Sequence, residues 1–175
     1  AFGNLVDVEA KENEEGFAID NIFIGERSRN ILIENFTNVG SSASAGHNTF
    51  FRDFIATTGE SVPLQYHVSF PEDDPINQQN LRDPNARAAY YGINEAPTVR
   101  LDGSFEDGAI ASWLSQAYDR ATLRPAPVDI AITTEDKDEN AINIKALIDI
   151  KTSLDENTVA HVVVVEKLIT SIEAA

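Results

Sequence analysis

In the middle of the chain, segments with the apolar pattern of a β-strand alternate with segments that have the apolar pattern of an α-helix. Runs of strand length are followed by stretches in which apolar residues recur every three or four positions. The predicted elements, in chain order, are a strand at 29–36, a helix at about 43–58, a strand at 62–70, a loop at 71–80, a helix with Asp83 as N-cap and Pro84 as first residue, a strand at 97–103 and a helix at 109–123. This order predicts an α/β unit.

The pattern changes after a boundary at 124–127, Arg-Pro-Ala-Pro. Apolar residues then alternate at 128–132 and 142–150, and a valine-rich run fills 160–169. We expect a three-stranded antiparallel meander with one apolar face, which forms part of a sandwich because three strands bury little alone. The predicted divisions are N-terminal strands at 1–27, with two short strands within 1–25, the α/β domain at 28–124, and an antiparallel β module at 125–175 that is truncated or completed by a partner.

The composition narrows the classes of function. The 175 residues include 29 acids against 13 Lys and Arg, a formal net charge of −16, which disfavours nucleic acid and anionic membrane surfaces as partners. No apolar run approaches the roughly 18 residues of a membrane helix, so no direct membrane span is expected. Without cysteine, the chain as given forms neither disulfides nor zinc–thiolate sites. Because it begins at Ala1 rather than Met, we expect a processed or excised product.

The turn at 38–48, between the first strand and the first helix, carries the most candidate chemistry. Ser41, Ser42 or Ser44 could pair with His47 as nucleophile and base, but the turn lacks the Gly-x-Ser-x-Gly elbow and no acid is specified. The helix N-terminus could bind an anion, although the net charge opposes it. Small hydroxyl residues at a helix start are most commonly caps.

Other polar features favour structural interpretations. We expect His67 to be a hydrogen-bonded structural histidine in a strand rather than a metal ligand. The acidic clusters at 71–75 and 135–140 carry carboxylates that calcium could use, but neither fits the EF-hand pattern. We expect them to be solvated turns, and we predict no metal and no cofactor.

Two short motifs resemble the thioredoxin fold. The stretch "ILIENFTNVGSSAS" is similar to the first core strand of that fold and its active-site turn, and the two positions of the Cys-x-x-Cys pair fall on Ser41 and Ser44. The stretch "YYGINEAPTVRLDG" is similar to the segment whose cis-proline faces the dithiol, which falls on Pro97 with Ala96 before it. The middle segment, "LQYHVSFPEDDP" followed by "NARAAYYG", is similar to a subgroup of thioredoxin-like outer-membrane and surface proteins of bacteria. These proteins continue with β-rich segments, and "VVVVEKLI" resembles a strand of those segments. The resemblance spans roughly residues 28 to 170.

The resemblance implies a non-catalytic structural or interaction subunit, because a serine hydroxyl cannot exchange with a disulfide. It implies an exported protein of the periplasm, outer membrane or cell surface, with protein partners in an envelope or surface assembly. A former active-site groove would dock extended peptide by strand addition; its residues are Ser41, Ser42, Ser44, Ala96 and Pro97. Two alternatives stay open: a thiol-disulfide oxidoreductase seen as a Cys-to-Ser variant, and a protein whose β module is the functional part.

Overall fold

The computed structural model describes residues 29–59, 61–105, 108–138, 141–167 and 169. The helices and strands are β1 (Ile31–Thr37), α1 (Ser42–Thr57), β2 (Ser61–His67), α2 (Pro75–Gln79), α3 (Arg82–Tyr90), β3 (Thr98–Leu101), α4 (Ile110–Thr122), β4 (Val128–Asp138) and β5 (Ala141–Ile150). This mixture of helices and strands agrees with the predicted α/β class. The two strands predicted within 1–25 lie outside the described residues.

β1 is the central strand of a three-stranded sheet with the order β2-β1-β3. It pairs in parallel with β2 and antiparallel with β3, and Phe36 near its carboxyl end lies opposite Thr98 at the amino end of β3. Because β1 leads into α1 and Pro97 immediately precedes β3, this register brings the two sequence motifs to the same end of the sheet.

The two faces of the sheet carry separate hydrophobic clusters. Ile31 and Ile33 pack with residues of α1 and α4 on one face, whereas Phe36 packs with Ala88 of α3 and with Ile93 on the other. The apolar stripe predicted for the last helix is confirmed, and its buried members are Ile110, Trp113, Leu114, Ala117 and Ala121. Each large side chain buried in this way contributes about 1.5–3 kcal/mol, so helix packing holds the sheet.

The prediction of a loop at 71–80 is wrong, because α2 lies within it. Asp74 is its N-cap and Pro75 is its first residue. The prediction that Asp83 caps the next helix is also wrong: α3 begins at Arg82, and Asp83 lies in its first turn. The Asp-Pro signature occurs at both places, and it marks a cap only at Asp74, where the carboxylate accepts the free backbone N–H groups.

β4 and β5 form a two-stranded antiparallel hairpin with an irregularity between Asp136 and Asp138. One face is apolar and open to solvent: its isoleucines are between 40% and 64% exposed, and they are Ile130, Ile132, Ile142, Ile144, Ile148 and Ile150. The third strand predicted at 160–169 is wrong, since the described residues there form no strand. The run from Val162 to Val165 would place valines on both faces of a strand, and no described residues form a second layer that would cover them.

No helix in the described part of the chain combines the length and the apolar character required to cross a bilayer.

Candidate functional site

Ser41 and Ala96 bring the two motifs into contact. Ser41 is the N-cap of α1, yet its hydroxyl makes no cap bond to the helix. It donates instead to the carbonyl oxygen of Ala96 at 3.4 Å. The Ala96–Pro97 peptide bond is cis, as the resemblance implies for that position. The segment that precedes β3 therefore lies against the amino end of α1.

The three serines of the turn occupy three different environments. Ser42 is exposed and Ser41 is half-buried, whereas Ser44 is only 2% exposed. The Ser44 hydroxyl accepts a hydrogen bond from the backbone N–H of Asn38 at 3.4 Å. The Nε2 atom of His47 bonds to Asn35 and not to a serine. Among the described residues, the Ser–His pair considered from the sequence is therefore not formed.

Side chains from another loop hold the turn before α1. The Nδ2 atom of Asn38 donates to the carbonyl oxygens of Val68 at 2.8 Å and Glu72 at 2.6 Å. The backbone N–H of Val39 donates to Asp74 Oδ2 at 2.9 Å. The sequence analysis missed Asn38 and the role of Asp74. Both follow a rule visible in the sequence, because Asn and Asp beside strand ends and prolines favour side chain–backbone bonds.

Asp74 is the centre of this support, with only 1% of its surface exposed. Its Oδ1 accepts from the N–H groups of Ile76 and Asn77, and its Oδ2 lies 2.9 Å from His67 Nδ1. His67 is thus a hydrogen-bonded structural histidine, as predicted. Burial alone would raise the pKa of Asp74, but the bonds from His67 and from the Val39 N–H hold it below its usual value.

The acidic cluster at 71–75 was expected to be a solvated turn, and for Asp74 this is wrong, because its carboxylate is buried and occupied by four donors. The cap of α2 requires the carboxylate to face the protein. Within the described ranges, no group of three or more His, Asp or Glu side chains has a metal-ligating arrangement.

A buried polar relay connects β1 with α1. Asn35 and Thr37 are fully buried, and both bond to the side-chain amide of Asn48 at 2.9–3.1 Å. Asn35 Oδ1 lies 2.9 Å from Nε2 of His47. Burial lowers the pKa of His47 below 6.5, so the imidazole is neutral near pH 7. The relay thereby holds a neutral histidine at the amino-terminal half of α1.

A buried ion pair lies on the opposite face of β1. Glu34 is fully buried and accepts two hydrogen bonds from Arg87, at 2.7 and 3.0 Å, and one from the Tyr91 hydroxyl at 2.7 Å. The pKa of Tyr91 is raised, mainly by burial and next by the hydrogen bond to Glu34. The hydrogen bond to Glu34 also raises the pKa of Arg87. Both carboxylate oxygens are occupied, so Glu34 is a structural rather than a reactive acid. The sequence indicates this ion pair only through the presence of a charged residue, Glu34, within an otherwise apolar predicted strand.

A cleft of about 530 Å³ opens beside the contact between the two motifs. It lies between α1, β3 and the start of α4, and its lining residues include His47, Phe50, Glu95, Pro97, Phe105 and Trp113. Of the predicted groove residues, only Pro97 borders the cleft. Ser41, Ser42 and Ser44 belong to the amino end of α1, where Ser41 contacts Ala96, and none of these four residues lines the cleft.

Comparisons of the chain with protein-family models, with curated proteins and with solved structures found no match.

Proposed function

We propose that residues 28–124 form a redox-inactive, thioredoxin-like domain and that the protein is a non-catalytic interaction subunit. The observation that carries this proposal is the bond from the Ser41 hydroxyl to the Ala96 carbonyl. It joins the two segments whose juxtaposition defines the active-site groove in the family that the sequence resembles. Hydroxyls stand at both sulfur positions, so the groove has no thiol for disulfide exchange.

The groove docks an extended peptide by adding a strand. Apart from a bridge between Leu101 and Ser104, no described strand pairs with the outer edge of β3. An extended chain could therefore pair with the outer edge of β3, beside the Ala96–Pro97 segment, and the exposed Ser42 directly follows Ser41, whose hydroxyl contacts Ala96. This binding mode needs main-chain hydrogen bonds and side-chain pockets, and it needs no sulfur.

The proposal places the protein outside the cytoplasm, in the periplasm, outer membrane or surface of a bacterial cell, within a multi-protein assembly. The sequence resemblance supports this location. The open isoleucine face of the β4–β5 hairpin supports a β module that a partner completes, since a two-stranded hairpin is marginally stable alone. The oxidoreductase alternative requires natural cysteines at 41 and 44, and no contact of the described residues favours it.

Docking is tested by NMR titration of the ¹⁵N-labelled chain with a pool of unstructured heptapeptides. We expect amide shifts to concentrate at Ser42, Ala96 and Thr98. Ser42→Trp should abolish them by filling the groove. Ser115→Trp, at another exposed serine, on α4, should leave them intact. Absence of shifts at the groove, or equal loss in both variants, would contradict docking.

Redox inactivity and the thioredoxin-like geometry have separate tests. The chain itself should not accelerate insulin reduction by dithiothreitol. A Ser41→Cys/Ser44→Cys variant should form an intrachain disulfide that mass spectrometry detects as the loss of two hydrogens. A Ser42→Cys/Ser44→Cys variant is the matched control, because position 42 is not one of the two sulfur positions. Equal disulfide formation in both variants would remove the support for the assignment.

A further inference from the structure

The face of β1 that packs on α1 changes from apolar to polar within one strand. Ile31 and Ile33 lie on it first, and Asn35 and Thr37 follow at alternate positions, all four fully buried. Buried amides destabilise a core unless their hydrogen bonds are made. Here Asn48 and His47 make them, and His47 borders the cleft. The hydrogen bonds of these buried polar residues therefore hold the His47 imidazole in place in the wall of the cleft.

The relay also sets which ring nitrogen of His47 is available. Asn35 Nδ2 donates to Asn48 Oδ1, which leaves Asn35 Oδ1 to accept from His47 Nε2–H. The Nδ1 atom then carries a lone pair, and no described residue is found donating to it. Glu95 is the one charged side chain among the described residues of the cleft lining, and its carboxylate oxygens are also acceptors. The atoms that His47 and Glu95 leave free in the cleft therefore accept hydrogen bonds.

The remaining walls are mostly apolar and aromatic. Phe50, Phe105 and Trp113 line the cleft together with Pro97. The guanidinium of Arg100 lies 4.6 Å from the centre of the Phe105 ring, which helps to hold that ring in place. A volume of about 530 Å³ lies within the range of roughly 300–1,000 Å³ that is typical of ligand sites.

We infer that this cleft binds a tyrosine or tryptophan side chain of the docked peptide, with the phenol O–H or indole N–H donating to His47 Nδ1. Apolar walls with the acceptor side chains of His47 and Glu95 complement a flat apolar ring that carries one donor. A ligand carboxylate would meet Glu95 and a net charge of −16. The inference rests on the peptide docking proposed above, and Pro97 connects the cleft with that groove.

The test uses the full chain and four acetylated, amidated heptapeptides, Gly-Ser-Thr-X-Thr-Ser-Gly, in which X is Tyr, Phe, Lys or Ala. Dissociation constants come from NMR titration. The Tyr peptide should bind roughly tenfold more tightly than the Phe peptide, because the Phe peptide leaves the His47 acceptor desolvated and unpaired. In His47→Phe this ratio should fall to about one, and circular dichroism checks that the variant folds.

A second pair of variants keeps the test independent of the fold of His47→Phe. Ala111→Trp fills the cleft from an exposed position on α4 and should reduce the affinity for the Tyr peptide to that for the Ala peptide. Ala56→Trp, at an exposed position of α1 outside the cleft, should change neither affinity.

Equal affinities for the Tyr and Phe peptides, or tightest binding of the Lys peptide, would overturn the inference. If all four peptides shift Ser42 and Ala96 equally, the cleft assignment fails and docking stands. If none of the peptides produces shifts at the groove, both proposals fail.

Discussion

Glu34 and Asn35 are neighbours in β1, and each is tied to a different helix. Glu34 faces α3 and pairs with Arg87, whereas Asn35 faces α1 and bonds to Asn48 and His47. Because successive strand residues point to opposite faces, two adjacent polar residues serve two separate layers. Both are fully buried, so each bond stabilises the fold mainly by preventing an unpaired polar group in the core.

Removal of Arg87 should be costly, because it leaves the Glu34 carboxylate buried without its counter-ion. We expect Arg87→Met to lower the free energy of unfolding by about 3 kcal/mol, measured by urea denaturation. Arg52→Met, which removes an exposed pair with Asp53, should cost less than about 0.5 kcal/mol. Glu34→Gln/Arg87→Met should recover part of the loss. If the double variant is less stable than Arg87→Met, an unpaired buried charge is not the cause.

His47 should make stability depend on pH in a defined window. Its pKa is lowered by burial in the folded chain, so the unfolded chain binds the proton more readily. The contribution of neutral, buried His47 to the free energy of unfolding is therefore fully present above pH 6.5. It is lost as the pH falls from 6.5 through the folded-state pKa. Chemical denaturation between pH 5 and pH 8 measures it, and His47→Gln should flatten the curve in that window. A His47 pKa above 6.5 by NMR titration would contradict the expectation.

At the scale of elements, α1 depends on contacts made elsewhere more than on its own sequence. It carries Gly46 in its interior, has no acidic residue in its first turn, and lacks a side-chain cap bond at Ser41. Asp74 and Asn38 instead hold the loop that leads into it. The amino end of the helix, with its exposed serine, is thus positioned by α2 and its cap.

Gly46→Ala should stabilise the protein. A Cβ atom at Gly46 meets nothing within 4 Å, and Ala is favoured over Gly inside a helix, so we expect a gain of about 0.5–1 kcal/mol in thermal denaturation. Gly92→Ala is the control: it has equal space but a φ of +66°, and should lose about 1 kcal/mol. A gain in both variants would mean that the helix is not the source of the effect.

Asp74→Ala should destabilise the protein by about 2 kcal/mol, since it removes a helix cap and leaves the Val39 N–H without its acceptor. Asp73→Ala, at an exposed neighbour, should change stability by less than about 0.5 kcal/mol. Because folding lowers the pKa of Asp74, the difference in free energy of unfolding between Asp74→Ala and the parent chain has its full size above pH 3.8. It shrinks as the pH falls through the folded-state pKa. A difference that grows toward low pH would contradict this assignment.

At the scale of the whole molecule, the described hydrophobic clusters belong to the α/β unit. Every buried member of both clusters lies between Ile31 and Ala121, and β4 and β5 contribute none. The hairpin instead presents its isoleucines to solvent. The chain therefore combines a unit with its own core and a hairpin that requires another surface for stability.

A chain that ends at Arg124 should keep the thermal unfolding transition of the α/β unit. We expect its midpoint, followed by circular dichroism, to lie within about 4 °C of the parent transition, because no buried member of either cluster is removed. A chain that ends at Ala109 loses the buried face of α4 and should not unfold cooperatively. Loss of the transition in the longer chain would contradict the division at 124–127.

The sequence by itself determined the elements whose apolar residues repeat in a local period. β1, α1 and α4 follow from these repeats alone, because strand and helix geometry relate neighbours a few positions apart. Periodicity missed the five-residue α2, and it wrongly made a strand of the valine run at 160–169, where the outcome depends on a second layer.

The tertiary structure decided how the candidate site is built. The sequence resemblance singled out Ser41 and Ala96, but their contact spans 55 residues, and the pairing of Glu34 with Arg87 spans 53. No local pattern reports such distances, since the register of β1 with β3 and the packing of the helices set them. Polar residues inside an apolar strand indicated only that buried hydrogen bonds form there. Only the packed sheet and helices could supply their partners, because a buried hydrogen bond requires both groups to meet in space.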